Sequence, residues 1–447
     1  MKLLPTAFAT AILSLAVLPA MAQAPAAAAA ATPAPASASA QHVAWSRNAN
    51  IYEVNIRQFS KEGTIQAFAA DLPRLKKMGV DILWIMPIQP IGEKNRKGGL
   101  GSYYAVRNYT AVNPEFGTMA DFKAMVAQAH GLGMRVMLDW VANHTAWDNN
   151  WVAEHNDWYK KDAKGQLFPV TFNEGGDVEY WTDVIALDYT KPAVWKGMTD
   201  AMSFWVREAD IDGFRCDVAG LLPVAFWNHA RAELDKIKPM FMLAEWAEPE
   251  LHEQAFDMTY DWKLADIFKK IGKGQADARD IAAYITKPDK VFPKHAIRML
   301  FTNNHDFNSW HGTDRQLYGP AYKALAVVAA TLPGMPLIYN GQEAGLDKRL
   351  AFFEKDQIQW GNYPLQSFYS GLLKLKRDNP AMANGQYGAP AQFVATGNDK
   401  VLAYKRVLGS NVVEVAVNLS GRTQAFALDG AKAAPLAAWS WRITSRK

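Results

Sequence analysis

Eight short β-rich apolar runs recur along this chain, with helical periodicity between most of them, and that alternation constrains the fold more than any other feature. The runs are Ile51–Phe59, Val80–Pro87, Arg135–Val141, Gly213–Val218, Met240–Trp246, Phe256–Tyr260, Ile297–Thr302 and Leu337–Asn340. Helical periodicity marks Met119–Gly131, Val194–Ala209 and Val224–Ile237, among others. Strands that alternate with helices build parallel sheets, because each parallel neighbour needs a long crossover. Eight such units over roughly 300 residues fit a closed barrel better than an open sheet. The expected fold class is therefore α/β, a (β/α)8 TIM barrel.

Two stretches break the alternation. About fifty residues rich in Trp, Asn, Asp and Gly separate the third strand from the helix at Val194. A connection that long is a functional loop or a small domain, so a B domain is expected at about 146–190. After residue 380 the helical period gives way to alternating runs at Val401–Val407, Val412–Asn418 and Ala425–Leu428. These predict a C-terminal antiparallel β domain over 381–447, with the barrel occupying 45–380.

The N-terminal end reads as a targeting segment. Lys2 precedes the apolar stretch Leu3–Leu18, and Ala20-Met21-Ala22 offers a cleavage site. Residues 1–22 are expected to be a signal peptide that exports the protein to periplasm or medium. Residues 23–44 are Ala/Pro-rich and read as a tether. No later segment offers about 20 uninterrupted apolar residues, so no membrane anchor is expected. Lys and Arg total 48 against 44 Asp and Glu, a formal charge of +4, which leaves no footprint for nucleic acid. The one cysteine, Cys216, excludes an intramolecular disulfide framework and a thiolate-rich zinc site. Its alternate position in the fourth strand points it toward the helical layer. Oligomeric state is left open.

A (β/α)8 barrel works at the C-terminal ends of its strands. There the third run delivers Asp139, Asn143 and His144, the fourth Arg215 and Asp217, the fifth Glu245, and the seventh His305 and Asp306. Each follows an apolar run, where a polar side chain is costly unless paired or used. Arg215 and Asp217 are two apart and share one face of their strand, so Arg215 is expected to lower the carboxyl pKa of Asp217. Two carboxyl groups in different protonation states are what glycoside cleavage needs. A protonated partner at Glu245 requires burial or neighbouring negative charge.

These segments resemble the four short regions of the alpha-amylase family, glycoside hydrolase family 13. "DWVANH" (139–144), "GFRCDV" (213–218), "AEW" (244–246) and "FTNNHD" (301–306) occur in the family's order. "YYAVRNYTAVNPEFGT" (103–118) and "GMPLIYNGQEAG" (334–345) are similar to flanking family motifs. The resemblance implies a retaining double displacement on starch or maltodextrin. Asp217 would be the nucleophile, Glu245 the proton donor and Asp306 the transition-state stabiliser. Tyr104, His144, Arg215 and His305 would bind substrate, with Asp139 orienting Arg215. The family often binds calcium. Here a Lys-His pair after the nucleophile is replaced by Val218-Ala219-Gly220-Leu221, and Ala186 stands where an acidic ligand is usual. Asn143 keeps one expected ligand, so the usual calcium site is expected to be incomplete and no cofactor to be required. "DVAG" (217–220) is closer to cyclomaltodextrinases, neopullulanases or α-1,6-glucosidases, which leaves linkage open. Glucosyl transfer and a non-catalytic glucan-binding role are the remaining alternatives. Trp147, Trp151, Trp158 and Trp181 are read as packing or as sugar platforms.

Overall fold

The computed structural model describes residues 42–174, 177–427 and 433–447. The expected signal peptide (1–22) and nearly all of the tether lie outside the described residues.

In chain order the barrel opens with β1 (Ile51–Val54), β2 (Ile82–Ile85) and β3 (Arg135–Trp140). A three-stranded antiparallel sheet follows, made of β4 (His144–Ala146), β5 (Pro169–Glu174) and β6 (Asp177–Ala186), in the order β4-β6-β5. The barrel resumes with β7 (Gly213–Cys216), β8 (Phe241–Ala244), β9 (Met258–Tyr260), β10 (Ile297–Leu300) and β11 (Met335–Tyr339). Eight parallel strands close in the order β1-β2-β3-β7-β8-β9-β10-β11, and β11 pairs back onto β1.

Every expected barrel strand is present, though most are shorter than the apolar runs. The first run stops at Val54 because Asn55 caps a helical turn, Ile56–Phe59, its side chain accepting from the Gln58 amide at 3.3 Å. The inserted sheet begins at His144 rather than at 146, since His144 already pairs with Ala186.

Alternation along each strand sorts the side chains. Ile51, Ile82, Trp84, Met137, Leu243, Met258 and Met299 share one buried cluster inside the barrel. Tyr52, Val54, Leu83, Val136, Leu138, Phe214 and Cys216 belong to a second cluster with the surrounding helices. Cys216 is fully buried there, and burial pushes its thiol pKa well up. The same parity turns Glu53, Asp139 and Arg215 inward near the C-terminal rim. One step beyond their strands, Asp217 and Glu245 follow.

The C-terminal part holds β12 (Gln392–Phe393), β13 (Val401–Leu408), β14 (Asn411–Asn418), β15 (Gln424–Phe426), β16 (Ala434–Leu436) and β17 (Trp441–Arg446). A four-stranded sheet, β12-β13-β14-β17, lies beside the β15–β16 hairpin. Leu402, Tyr404, Val413 and Val415 bury against Leu325 and Val328 of the helix Tyr322–Thr331. Among the described residues no helix is long and apolar enough to cross a membrane.

The expected tether runs too far. His42 is buried, with Nδ1 at 2.6 Å from Asp257 and Nε2 at 2.5 Å from the His295 carbonyl. Both partners accept, so both ring nitrogens donate and the ring is an imidazolium. Burial pulls the His42 pKa down, but Asp257 outweighs it and leaves it above the ordinary 6.5. Asp257, which also takes Arg231 at 2.9 Å, is held below the ordinary 3.8 despite its burial. A raised histidine contributes stability that is fully present below its unfolded pKa and lost as pH rises through the folded one. The depressed aspartate loses its contribution as pH falls through its folded value. His42→Ala is therefore expected to lower the thermal midpoint most between pH 3.8 and 6.5. The gap should narrow at alkaline pH, as scanning calorimetry across pH would read. The cost at its widest is about 3 kcal/mol, as for a broken buried pair.

Candidate active site

Arg215 is the hub of the rim and is fully buried. Its Nη1 donates to Asp139 at 2.9 Å and to Asp217 at 3.0 Å, and its Nε donates to the Tyr260 hydroxyl at 3.2 Å. Nη2 stands 2.6 Å from Glu245 Oε1, an ion pair off the N–H axis rather than a hydrogen bond. One guanidinium thus serves three carboxyl groups delivered by β3, β7 and β8.

The chain turns sharply to achieve this. Val218 has φ +38°, a left-handed conformation that a β-branched residue avoids. The turn aims the Val218 amide at Glu245, whose Oε2 accepts it at 2.8 Å. Strain of this kind persists where the surroundings over-determine it. Gly220, just beyond, lies so close to the Trp246 indole that an added Cβ would fall 2.1 Å from the ring. The absent Lys-His pair thus gives way to a close backbone–indole contact.

Asp139 is held from two more sides. Trp84 Nε1 donates to its Oδ2 at 3.0 Å, and the Tyr104 hydroxyl donates to the same oxygen at 3.1 Å. With Arg215 on Oδ1, its contacts describe a positioning residue. His305 sits on the far side, with Nδ1 at 2.5 Å from Glu53 and Nε2 at 2.8 Å from the Tyr104 hydroxyl and 3.3 Å from Asp306. The Tyr104 ring stacks on His305 at 5.5 Å and on Phe352 at 6.2 Å between centroids. His144 lies with its ring edge against Trp181 at 5.5 Å.

Electrostatics divide these groups. Burial pushes the Asp217 carboxyl well above the usual range, the nearby Glu245 charge adds to this, and Arg215 does not compensate. The sequence expectation that Arg215 would hold Asp217 low is corrected here: a single cation is shared among three acids in a dry site. Burial also raises Glu245, with Asp306 opposing the pull of Arg215. The two carboxyls are close enough on one guanidinium that protonation of one favours ionisation of the other. Burial lowers His305, but Asp306 and Glu53 outweigh it and keep it an imidazolium. That cation in turn draws Asp306 below the ordinary range against burial. Burial brings His144 down to about 3, so it is neutral.

The structure brings Tyr104, Arg215, Asp217, Glu245, His305 and Asp306 into one cluster, with His144 on the adjoining inserted sheet. Sequence reasoning missed Glu53, Trp84 and Tyr260. Glu53 had a signal, a lone charge inside the apolar run "IYEV". Trp84 and Tyr260 had none beyond strand parity. Of the tryptophans, Trp151 packs on Trp158 at 5.2 Å and Trp181 on Phe172 at 5.5 Å, with partly buried rings that belong to packing.

Asn143, the one calcium ligand expected from the sequence, is buried next to His144. The Asn143 side-chain Nδ2 meets His144 Nδ1 at 3.2 Å, and the Asn143 backbone carbonyl accepts from the Leu187 amide at 3.1 Å. Ala186, at the place of the acidic ligand, offers no carboxylate. Among the described residues no three His, Cys, Asp or Glu side chains are grouped to hold a metal ion.

Residues 38–380 match the family model described as alpha amylase, catalytic domain. The chain is 29% identical to an alpha-amylase of Haloarcula japonica, over 84% of this chain and 56% of that protein. It is 28% identical to an alpha-1,4-glucan:maltose-1-phosphate maltosyltransferase of Rhodospirillum rubrum, over 82% of this chain and 56% of that one. It thus spans little more than half the length of these curated relatives. The crystal structure of an alpha-amylase from Lactobacillus plantarum superposes with a TM-score of 0.79 at 32% identity, covering 90% of this chain and all of that one.

Proposed function

Because this chain belongs to the alpha-amylase family of glycoside hydrolases, we propose that it cleaves α-1,4-glucosidic bonds in starch or maltodextrins by a retaining double displacement. The observation that carries this is the convergence of Asp217 and Glu245 on one buried guanidinium, with Asp306 facing them. In the reacting complex Glu245 carries the proton and Asp217, paired with Arg215, is ionised. An Asp217 oxygen attacks the anomeric carbon as the bond to the leaving oxygen breaks, and Glu245 delivers its proton to that oxygen. Glu245, now a carboxylate, takes a proton from water. The water oxygen attacks the same carbon, and the bond to Asp217 breaks. Asp306 is placed to hold sugar hydroxyls, and the His305 imidazolium beside it keeps it ionised and positions Tyr104. Two inversions leave the product in the α configuration.

Proton NMR of the products of maltoheptaose hydrolysis, recorded before mutarotation, tests this. The α anomer is expected first. An initial β anomer would sink the double displacement. Longer or rearranged sugars with little free reducing end would move the reading to glucosyl transfer; the Rhodospirillum relative is named for transfer of a maltosyl group. The charged start, apolar stretch and Ala-x-Ala of residues 1–22 support the further proposal that the protein is exported.

A further inference from the structure

The rim of the barrel is not open all round. Beyond β2, the segment 94–101 meets the segment 347–356 that follows β11. The Leu100 amide donates to the Phe353 carbonyl at 3.0 Å, and the Gly99 amide donates to Glu354 at 2.5 Å. Gly98, at φ +65°, lies against Phe353 so closely that a Cβ would fall 2.4 Å from it. Two side chains just past β1 staple both segments from below. Arg57 donates to the carbonyls of Leu100 and Gly101 at 3.3 and 3.1 Å. Gln58 donates to those of Ala351 and Glu354 at 2.8 and 2.7 Å. Both are buried.

The wall continues at either end. Arg349 reaches the Ser309 carbonyl at 2.5 Å, and the neighbouring Trp310 packs on Phe352 at 5.1 Å while 47% exposed. On the other flank Lys97 pairs with Asp183 of the inserted sheet at 3.2 Å. From the β10 loop through the β11 and β2 loops to the inserted sheet, the structure thus forms one connected barrier.

Its place on the rim gives it meaning. C1 and C4 lie on opposite sides of a pyranose ring. Asp217 and Glu245 follow β7 and β8, so a pyranose held there by C1 and laid across the barrel would carry C4 toward the opposite strands. The strands facing β7 and β8 in the closed order are β11 and β1, where the barrier stands. We infer that the wall formed by segments 94–101 and 347–356 closes the glycone side of the cleft, so that the enzyme accepts the non-reducing end of a glucan rather than its interior. This rests on the proposed roles of Asp217 and Glu245. The exposed Trp310 and the Tyr104–Phe352 stack supply aromatic faces for that last sugar.

The test uses the full chain and two substrates, 4-nitrophenyl maltoheptaoside free at its non-reducing end and the same compound with a 4,6-O-ethylidene cap there. The free substrate is expected to release one short oligosaccharide from its non-reducing end at the earliest times. The capped one should turn over at least about tenfold more slowly, since a packed wall resists the added bulk. The double substitution Phe353→Ala with Glu354→Ala should bring the capped-to-free ratio up toward one, a shift that general destabilisation would not produce. Equal cleavage of both substrates by the parent enzyme, with mixed products from the outset, would overturn the inference while leaving the hydrolase reading intact. Cleavage of neither would overturn both.

Discussion

Asp217→Asn is expected to reduce turnover of maltoheptaose by about 10⁴-fold or more, the scale of losing a covalent nucleophile. Substrate affinity should change little. The change keeps size and shape, and Arg215 retains Asp139 and Glu245 as partners, so the fold should survive. Reducing-sugar assays give the rate, and calorimetric titration with maltoheptaose gives the affinity. The amide cannot form a glycosyl ester, so no burst of first product should precede the steady state. Turnover within tenfold of the parent would remove Asp217 from the mechanism. A loss of binding together with rate would instead assign it to holding the sugar.

Arg215→Lys should damage both chemistry and stability. Lysine carries the charge but not the fork that reaches Asp139, Asp217, Glu245 and Tyr260 at once. Activity should fall about 10²–10³-fold, as when a fixed electrostatic contact in a dry site is lost. Urea denaturation should show a loss of about 3–5 kcal/mol, the cost of leaving buried carboxylates without their partner. The stability deficit should shrink as pH falls, because protonation removes the charges that lost their cation. Pairing Arg215→Met with Asp139→Asn separates the effects: stability should return in part and activity should not. If the double variant is no more stable than Arg215→Met alone, the shared-charge account of this hub is wrong.

The barrel was legible because strand and helix periodicities differ and because its strands are buried on both sides. The polar residues at the ends of the runs were legible for the same reason: Asp139, Arg215, Asp217 and Glu245 interrupt stretches that are otherwise apolar. Glu53 also interrupts such a stretch, but its partner His305 lies 252 residues away, and no local pattern links the two. The end of β1 is not legible because the apolar–polar alternation of Ile51–Phe59 runs on through the cap at Asn55. Nothing local distinguishes His42 from the tether; only Asp257, 215 residues on, makes it part of the fold. The sharing of Arg215 among three acids is likewise a fact of tertiary structure. Sequence shows that an arginine stands two residues from an aspartate, and not how many other charges claim it. The wall beside β1 depends on backbone amides and carbonyls, which every sequence supplies and none advertises.

The burial of Cys216 has a practical consequence. The chain's only thiol lies behind the strand that presents Asp217, sealed in packing and held protonated. A native molecule therefore has no handle for disulfide-linked dimers in an oxidising buffer. Any colour developed with an aromatic disulfide reagent reports molecules whose barrel has opened, a clock for the lifetime of the fold that needs no label or engineered site.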